Sequence, residues 1–164
     1  MLRMGKLTDY GIVLMSYLAA NSNVHHSAHT LAEAVRVPLP TVRKVLKALL
    51  NGGLLKSERG FQGGYSLSRS ADAISVAEII TAIEGPIALT ECVSDESHCD
   101  QEMHCSVQTN WSRINNAVFH ALDEVKLSNM LAPQTSSSPL MPIHFYPSAK
   151  PVDAVILQDG EFYD

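Results

Sequence analysis

No stretch of this 164-residue chain approaches the roughly 20 consecutive apolar residues that cross a bilayer. The longest apolar run, Tyr10 to Ala20, is broken by Gly11 and Ser16. The N-terminus has no cleavable signal pattern, so a cytoplasmic chain is expected. Phosphate-binding loops, dinucleotide-binding glycines and a nucleophile elbow are all missing, and no cysteine stands beside a base in a recognisable motif, which argues against an enzyme. Cysteine itself is scarce: three residues, an odd number, which in a reducing compartment points to metal binding or redox chemistry rather than a disulfide framework. No internal repeat is evident, and the length suits one compact domain with accessory helices.

What is present is unevenly distributed. The net charge of −5 conceals a split. Residues 1–69 hold nine Lys/Arg against three acids, a balance of +6, and residues 70–164 hold three bases against fourteen acids, a balance of −11. The first part can neutralise phosphates while the second stays away from them.

Apolar spacing predicts the elements of the basic part. Thr8 to Ala20 reads as a mostly buried helix with Thr8 or Asp9 as N-cap. A short helix follows from near Ser27, with Thr30 and Glu33 at capping-box spacing, and Arg36-Val37-Pro38 makes a turn. The next helix opens at Leu39-Pro40, where proline is tolerated, and runs to about Asn51. Val42, Val45, Leu46, Leu49 and Leu50 form its buried stripe, leaving Thr41, Arg43, Lys44 and Lys47 on an exposed cationic face. Leu54–Ser57 and Tyr65–Ser68 read as two short strands around a loop containing Arg59, Gly60, Gly63 and Gly64. The expected fold is therefore mainly α, a winged helix-turn-helix with a small β-hairpin wing and a long C-terminal helix. Its second helix would enter the major groove of double-stranded DNA, and its wing, through Arg59 and the glycines, would follow phosphates and a narrow minor groove. The histidines His25, His26, His29 and His120 are expected to face solvent.

In the second part, Ser75 and Glu78 form a capping-box pair opening a helix from Val76 to Ile83, ended by Gly85-Pro86. Cys92, Cys99 and Cys105 then fall within one 14-residue stretch that also carries His98 and His104 and has no helical or strand period. Soft thiolates so gathered suit an iron-sulfur cluster, with a Cys3His zinc site or metal-free redox thiols as alternatives. The zinc reading lacks the tight C-x2-C knuckle. From Ser106 to Leu127, Val107, Trp111, Ile114, Val118, Leu122 and Val125 repeat at three- and four-residue steps, a stripe that wants a partner. Five of the eight prolines follow Leu131, with a Thr-Ser run, and mark a flexible tail.

Three features together carry a resemblance: Leu7-Thr8-Asp9-Tyr10, the run from Gly53-Leu54-Leu55-Lys56-Ser57-Glu58-Arg59-Gly60 through Phe61-Gln62-Gly63-Gly64-Tyr65-Ser66-Leu67, and the spaced cysteines. Over about residues 1–131 the chain resembles the Rrf2 family of bacterial transcription regulators. Within that family the opening Met-Leu-Arg and the Lys-Leu-Thr-Asp-Tyr are most similar to regulators of the SUF iron-sulfur assembly system. The resemblance implies a homodimer paired through Trp111, Ile114, Val118 and Leu122, a palindromic operator, and a cluster, 2Fe-2S or 4Fe-4S, held by Cys92, Cys99 and Cys105. Relatives complete their clusters with a histidine three residues after the third cysteine or with an acid of the first helix donated by the partner subunit. Gln108 occupies the first position here, whereas Asp9 matches the second; His98 and His104 stay open as ligands, and Asp9 as an N-cap.

The expected organisation is a winged-helix DNA-binding domain over 1–85, a cysteine-bearing cluster loop over 86–105, a dimerisation helix and turn over 106–131, and the Pro/Ser-rich tail over 132–164. The expected function is a repressor that senses iron-sulfur cluster status and controls iron-sulfur assembly genes. A zinc- or thiol-based regulator responding to redox or nitric oxide, or an iron-sulfur carrier, is the alternative.

Overall fold

The computed structural model describes residues 4–60, 63–93 and 105–131. Cys99, His98, His104, Phe61, Gln62 and the tail from 132 lie outside the described residues. The chain order is α1 (Lys6–Ala20), α2 (Ala28–Val35), α3 (Leu39–Asn51), β1 (Leu55–Glu58), β2 (Gly64–Leu67), α4 (Val76–Glu84) and α5 (Gln108–Glu124), with 3-10 turns at Ala71–Ala73, Glu91–Val93 and Leu127–Met130. The described residues all fall in one compact unit, Met1–Pro133.

α1 and α4 pack on each other and on α3. The core is built from Leu14, Met15 and Leu18 of α1, Leu31 of α2, Val42, Val45, Leu46 and Leu49 of α3, and Ile79 of α4. The stripe predicted for α3 is the one buried, with Leu50 at its half-buried edge.

Helix ends depart from expectation in instructive ways. α1 opens at Lys6 with Gly5 as N-cap, so neither Thr8 nor Asp9 caps it. The cap comes from far along the chain. The Glu84 carboxylate, at the end of α4, accepts the Gly5 N–H at 2.9 Å and the hydroxyl of the fully buried Thr8. A negative group at a helix N-terminus also meets the favourable end of its dipole. In α2 the N-cap is Ser27, whose Oγ accepts the Thr30 N–H at 3.1 Å; the Thr30/Glu33 pair lies inside the helix, and Glu33 meets His29 one turn back. The Ser75/Glu78 capping box forms as predicted.

The largest correction concerns α5. The stripe to Leu127 reads as six turns, but the helix stops at Glu124 and Val125 turns extended. Ser75 and Lys126 form an antiparallel bridge, with Val76 N–H donating to Val125 O and Leu127 N–H to Ile74 O, both at 2.9 Å. Leu127 is thereby fully buried in the core beneath α1. Helical periodicity cannot anticipate a break forced by a distant strand partner and a vacant core position.

Glu78 joins three elements. Its carboxylate caps α4, meets Arg69 Nη2 at 2.8 Å, and lies near Asp123 of α5. Partial burial pushes its pKa up, but the Ser75 backbone bond and the Arg69 guanidinium outweigh that and hold it below the usual glutamate value. The native state therefore binds a proton less readily than the unfolded chain. Glu78 should stabilise the fold fully above the ordinary carboxylate range and lose that contribution as pH falls through its lowered pKa. Urea midpoints of Glu78→Gln and of the parent chain should differ at neutral pH and converge in acid. Leu127→Ala should cost about 2–5 kcal/mol in the same assay, the range for a buried leucine deleted from a core; a surface leucine would cost far less.

Candidate nucleic-acid interface and cysteine segment

The reading surface begins with the phase of α3. Because Val42, Val45, Leu46 and Leu49 face inward, Arg43, Lys44 and Lys47 are exposed and Thr41 is half-buried beside the Pro38–Pro40 opening. Arg36 makes the turn into α3 in a left-handed conformation, φ +55°, and its N–H closes on α2 carbonyls. Among the described residues, Arg43, Lys44, Lys47 and Arg59 have no acid within ion-pair distance. Their charge is free for another partner.

The wing is an antiparallel hairpin pairing Leu55 with Leu67, Lys56 with Ser66, Ser57 with Tyr65 and Glu58 with Gly64. Arg59 and Gly60 are exposed at its tip. A third segment locks it to the head: Tyr65 N–H donates to His26 O at 2.8 Å, and His26 N–H to Tyr65 O at 3.1 Å. Gly64 stands where any Cβ would come within 2.7 Å of the His26 backbone, and one on Gly63 would strike the Glu58 carbonyl. These two glycines are thus required for the hairpin to close and dock. His26 is buried, its ring edge-on to Tyr17 with centroids 5.3 Å apart, contrary to the solvent-facing position expected. The signal for it was missing from local sequence, since its partners lie on α1 and β2.

The cysteine segment leaves α4 through Gly85, and a side chain of α5, Asn115, bonds its first turn. Asn115 Oδ1 accepts the Leu89 N–H and Asn115 Nδ2 donates to Ile87 O, each at 3.0 Å. Cys92 follows in the 3-10 turn, half-buried, its Sγ 3.2 Å from Thr90 Oγ1. Cys105 is also a free, half-buried thiol, in the turn that leads into α5 at Gln108. Asn115 was missed in the sequence; an amide on the inward face of a helix, amid apolar positions, was the available hint. Asp9 is exposed in the first turn of α1. Among the described residues no three His, Cys, Asp or Glu side chains converge on a metal position, so Cys92, Cys105 and Asp9 do not meet within one chain. On α5, Trp111 and Ile114 are 37% and 46% exposed, and Val118 and Leu122 are half-buried.

A family model described as Rrf2, iron-dependent transcriptional regulator, matches residues 4–133. The chain belongs to the Rrf2 family of transcription regulators. An Rrf2 relative, the regulator CymR of Bacillus subtilis, is 33% identical over 122 residues, covering 74% of this chain and 83% of its own. Its solved structure, that of the global cysteine regulator of B. subtilis, superposes with a TM-score of 0.62 at 32% identity, over 80% of this chain and 97% of that one. IscR of T. potens gives 0.60 at 27% identity, over 79% and 86%. The oxidized form of Staphylococcus aureus CymR gives 0.58 at 28%, over 80% and 98%. The fold is that of Rrf2 winged-helix regulators, and the activity is DNA-binding regulation rather than catalysis. No described helix is long and apolar enough to cross a membrane.

Phosphate contacts weaken binding evenly across sequences and contribute to its salt slope. Lys44→Ala and Arg59→Ala should each reduce duplex affinity and lower the slope of log affinity against log salt by about one, read by fluorescence anisotropy. Lys126→Ala, placed beyond α5 beside Asp123, should leave that slope unchanged.

Proposed function

We propose that this Rrf2 protein is a homodimeric repressor that senses iron-sulfur cluster status through Cys92, Cys99 and Cys105 and controls iron-sulfur assembly genes of the SUF type. The supporting observation is the suspension of the cysteine segment by Asn115 between the end of α4 and α5. A change in that segment is felt at both ends: at α4, whose Glu84 caps α1, and at α5, whose outer stripe is the pairing surface.

The residues present suit such a group. Cys92 and Cys105 are free, half-buried thiols, and the Cys92 sulfur has a hydroxyl, Thr90, to stabilise a thiolate. Asp9 is exposed, and among the described residues it does not join Cys92 and Cys105 in a three-ligand group, which suits an acid offered to a second copy. Cys92, Cys99 and Cys105 would hold the cluster with Asp9 of the paired chain as fourth donor. When bound, the cluster supplies a centre whose hard carboxylate ligand makes it labile toward oxygen or nitric oxide. Trp111, Ile114, Val118 and Leu122 form the pairing stripe, and Thr41, Arg43, Lys44, Lys47, Arg59, Gly60, Gly63 and Gly64 the DNA-facing set. A two-fold pair meets a palindromic operator. Coupling of about 1–3 kcal/mol between segment and head is enough to change operator occupancy five- to 150-fold.

A second reading keeps the same segment and replaces the cluster by thiol oxidation. The free thiols favour it, as do relatives titled a cysteine regulator and an oxidized form.

Iron and acid-labile sulfide per subunit in anaerobically purified protein separate the readings. The cluster reading expects both, lost in Cys92→Ser and Cys105→Ser, with operator affinity changing at least fivefold between holo and apo forms. A colourless protein whose affinity follows thiol oxidation supports the second reading. Zinc in place of iron, or cluster donation to an apo acceptor with no duplex preference, overturns both. Asp9→Ala should leave the iron content lower or more readily lost; unchanged content and stability remove Asp9 from the ligand set.

A further inference from the structure

We infer that the base of the wing holds a ligand site for a small organic carboxylate, apart from both the DNA-facing surface and the cysteine segment. A recess of about 340 Å3 opens there, walled by the α1–α2 connection, the wing strands and the turn after β2. Its size falls at the lower end of small-molecule pockets. No residue of α3 lines it, nor do Arg59 and Gly60 of the wing tip, so it is not a continuation of the surface that meets DNA.

Its polar wall carries uncompensated positive charge. Arg69 is held by Glu78 and the Ala73 carbonyl, and His25 Nε2 lies 3.4 Å from Glu58 Oε1 without hydrogen-bond geometry. Lys56 is exposed and has no acid partner among the described residues. Opposite it in the hairpin ladder stands Ser66, 8% exposed, whose hydroxyl makes no hydrogen bond among the described residues. A buried hydroxyl without a partner is costly, and a serine hydroxyl turns readily about its single side-chain bond toward one.

The remaining wall is apolar: Ala19, Val24, Leu67 and Ala71. An ammonium and a hydroxyl on one side and small aliphatic groups on the other match a carboxylate carried on a short aliphatic body. The Lys56–Ser66 pair lies two ladder positions from Glu58–Gly64, where the strands part at the wing tip. A ligand bridging the pair would stiffen the hairpin, and the wing would then meet DNA with less ordering left to be done.

The test is calorimetric titration of the full chain with succinate and glutarate. Chloride at equal ionic strength is the blank, since salt alone weakens DNA binding, and succinamide is the neutral control. Saturable binding of a dicarboxylate, absent with succinamide, is expected. Lys56→Met, which keeps the aliphatic stem, should weaken it about tenfold or more, and Ser66→Ala should weaken it in the same direction. In the parent chain the ligand should raise duplex affinity above the chloride blank, and in Lys56→Met it should not. Absence of saturable binding at millimolar carboxylate, or undiminished binding in Lys56→Met, overturns the site. Inorganic phosphate binding as tightly as succinate overturns its assignment to carboxylates.

Discussion

The exposed cationic face of this molecule depends on the rotational setting of α3. Neighbouring residues on a helix are about 100° apart, so burying Val42, Val45, Leu46 and Leu49 decides at the same stroke that Arg43, Lys44 and Lys47 point away from the core. A one-residue rotation would draw an ammonium group toward Leu14 and Ile79 and strip it of water at great cost. The cationic face therefore needs no device of its own to hold it outward. It is the complement of the packing of α1, α3 and α4.

The rest of the head extends that setting to neighbouring elements through single, well-placed contacts. The wing is fixed by two backbone hydrogen bonds to His26, with Gly64 leaving room for them. The beginning of α1 is fixed by the Glu84 carboxylate, and the cysteine segment by the Asn115 amide. Each joins parts of the chain that lie far apart in sequence. Charge follows the same division: the basic surplus sits on the head, and acids gather beyond residue 70.

Local pattern served well where local physics decides. The phase of α3, its opening at Leu39-Pro40, the hairpin and the Ser75–Glu78 box are all written in short spacings, and all appear within a residue of the expected place. It failed where a partner far along the chain overrode a local preference. Thr8 has the chemistry of an N-cap, yet Gly5 takes that position and Thr8 turns inward to meet Glu84. The apolar steps to Leu127 continue the period of α5 without a fault, but a bridge to Ser75 ends the helix three residues earlier. For the site, the exposed cations of α3 were legible because exposure follows from the stripe. The Asn115 bracket and the buried His26 were not, because neither belongs to a periodic pattern. Cys99, between the two described cysteines, lies outside the described residues, so the thiol spacing remains a statement about sequence.

The burial of Leu127 has a consequence for modularity. A side chain from beyond α5 completes the interior of the head, and the bridge at Lys126 stitches the same stretch to the start of α4. The winged-helix portion is therefore no self-sufficient cassette ending at Gly85: transplanted alone, it would arrive with a hole at its centre. A change in the loop between α4 and α5 has to leave both of its anchors where they are for this interior to stay filled.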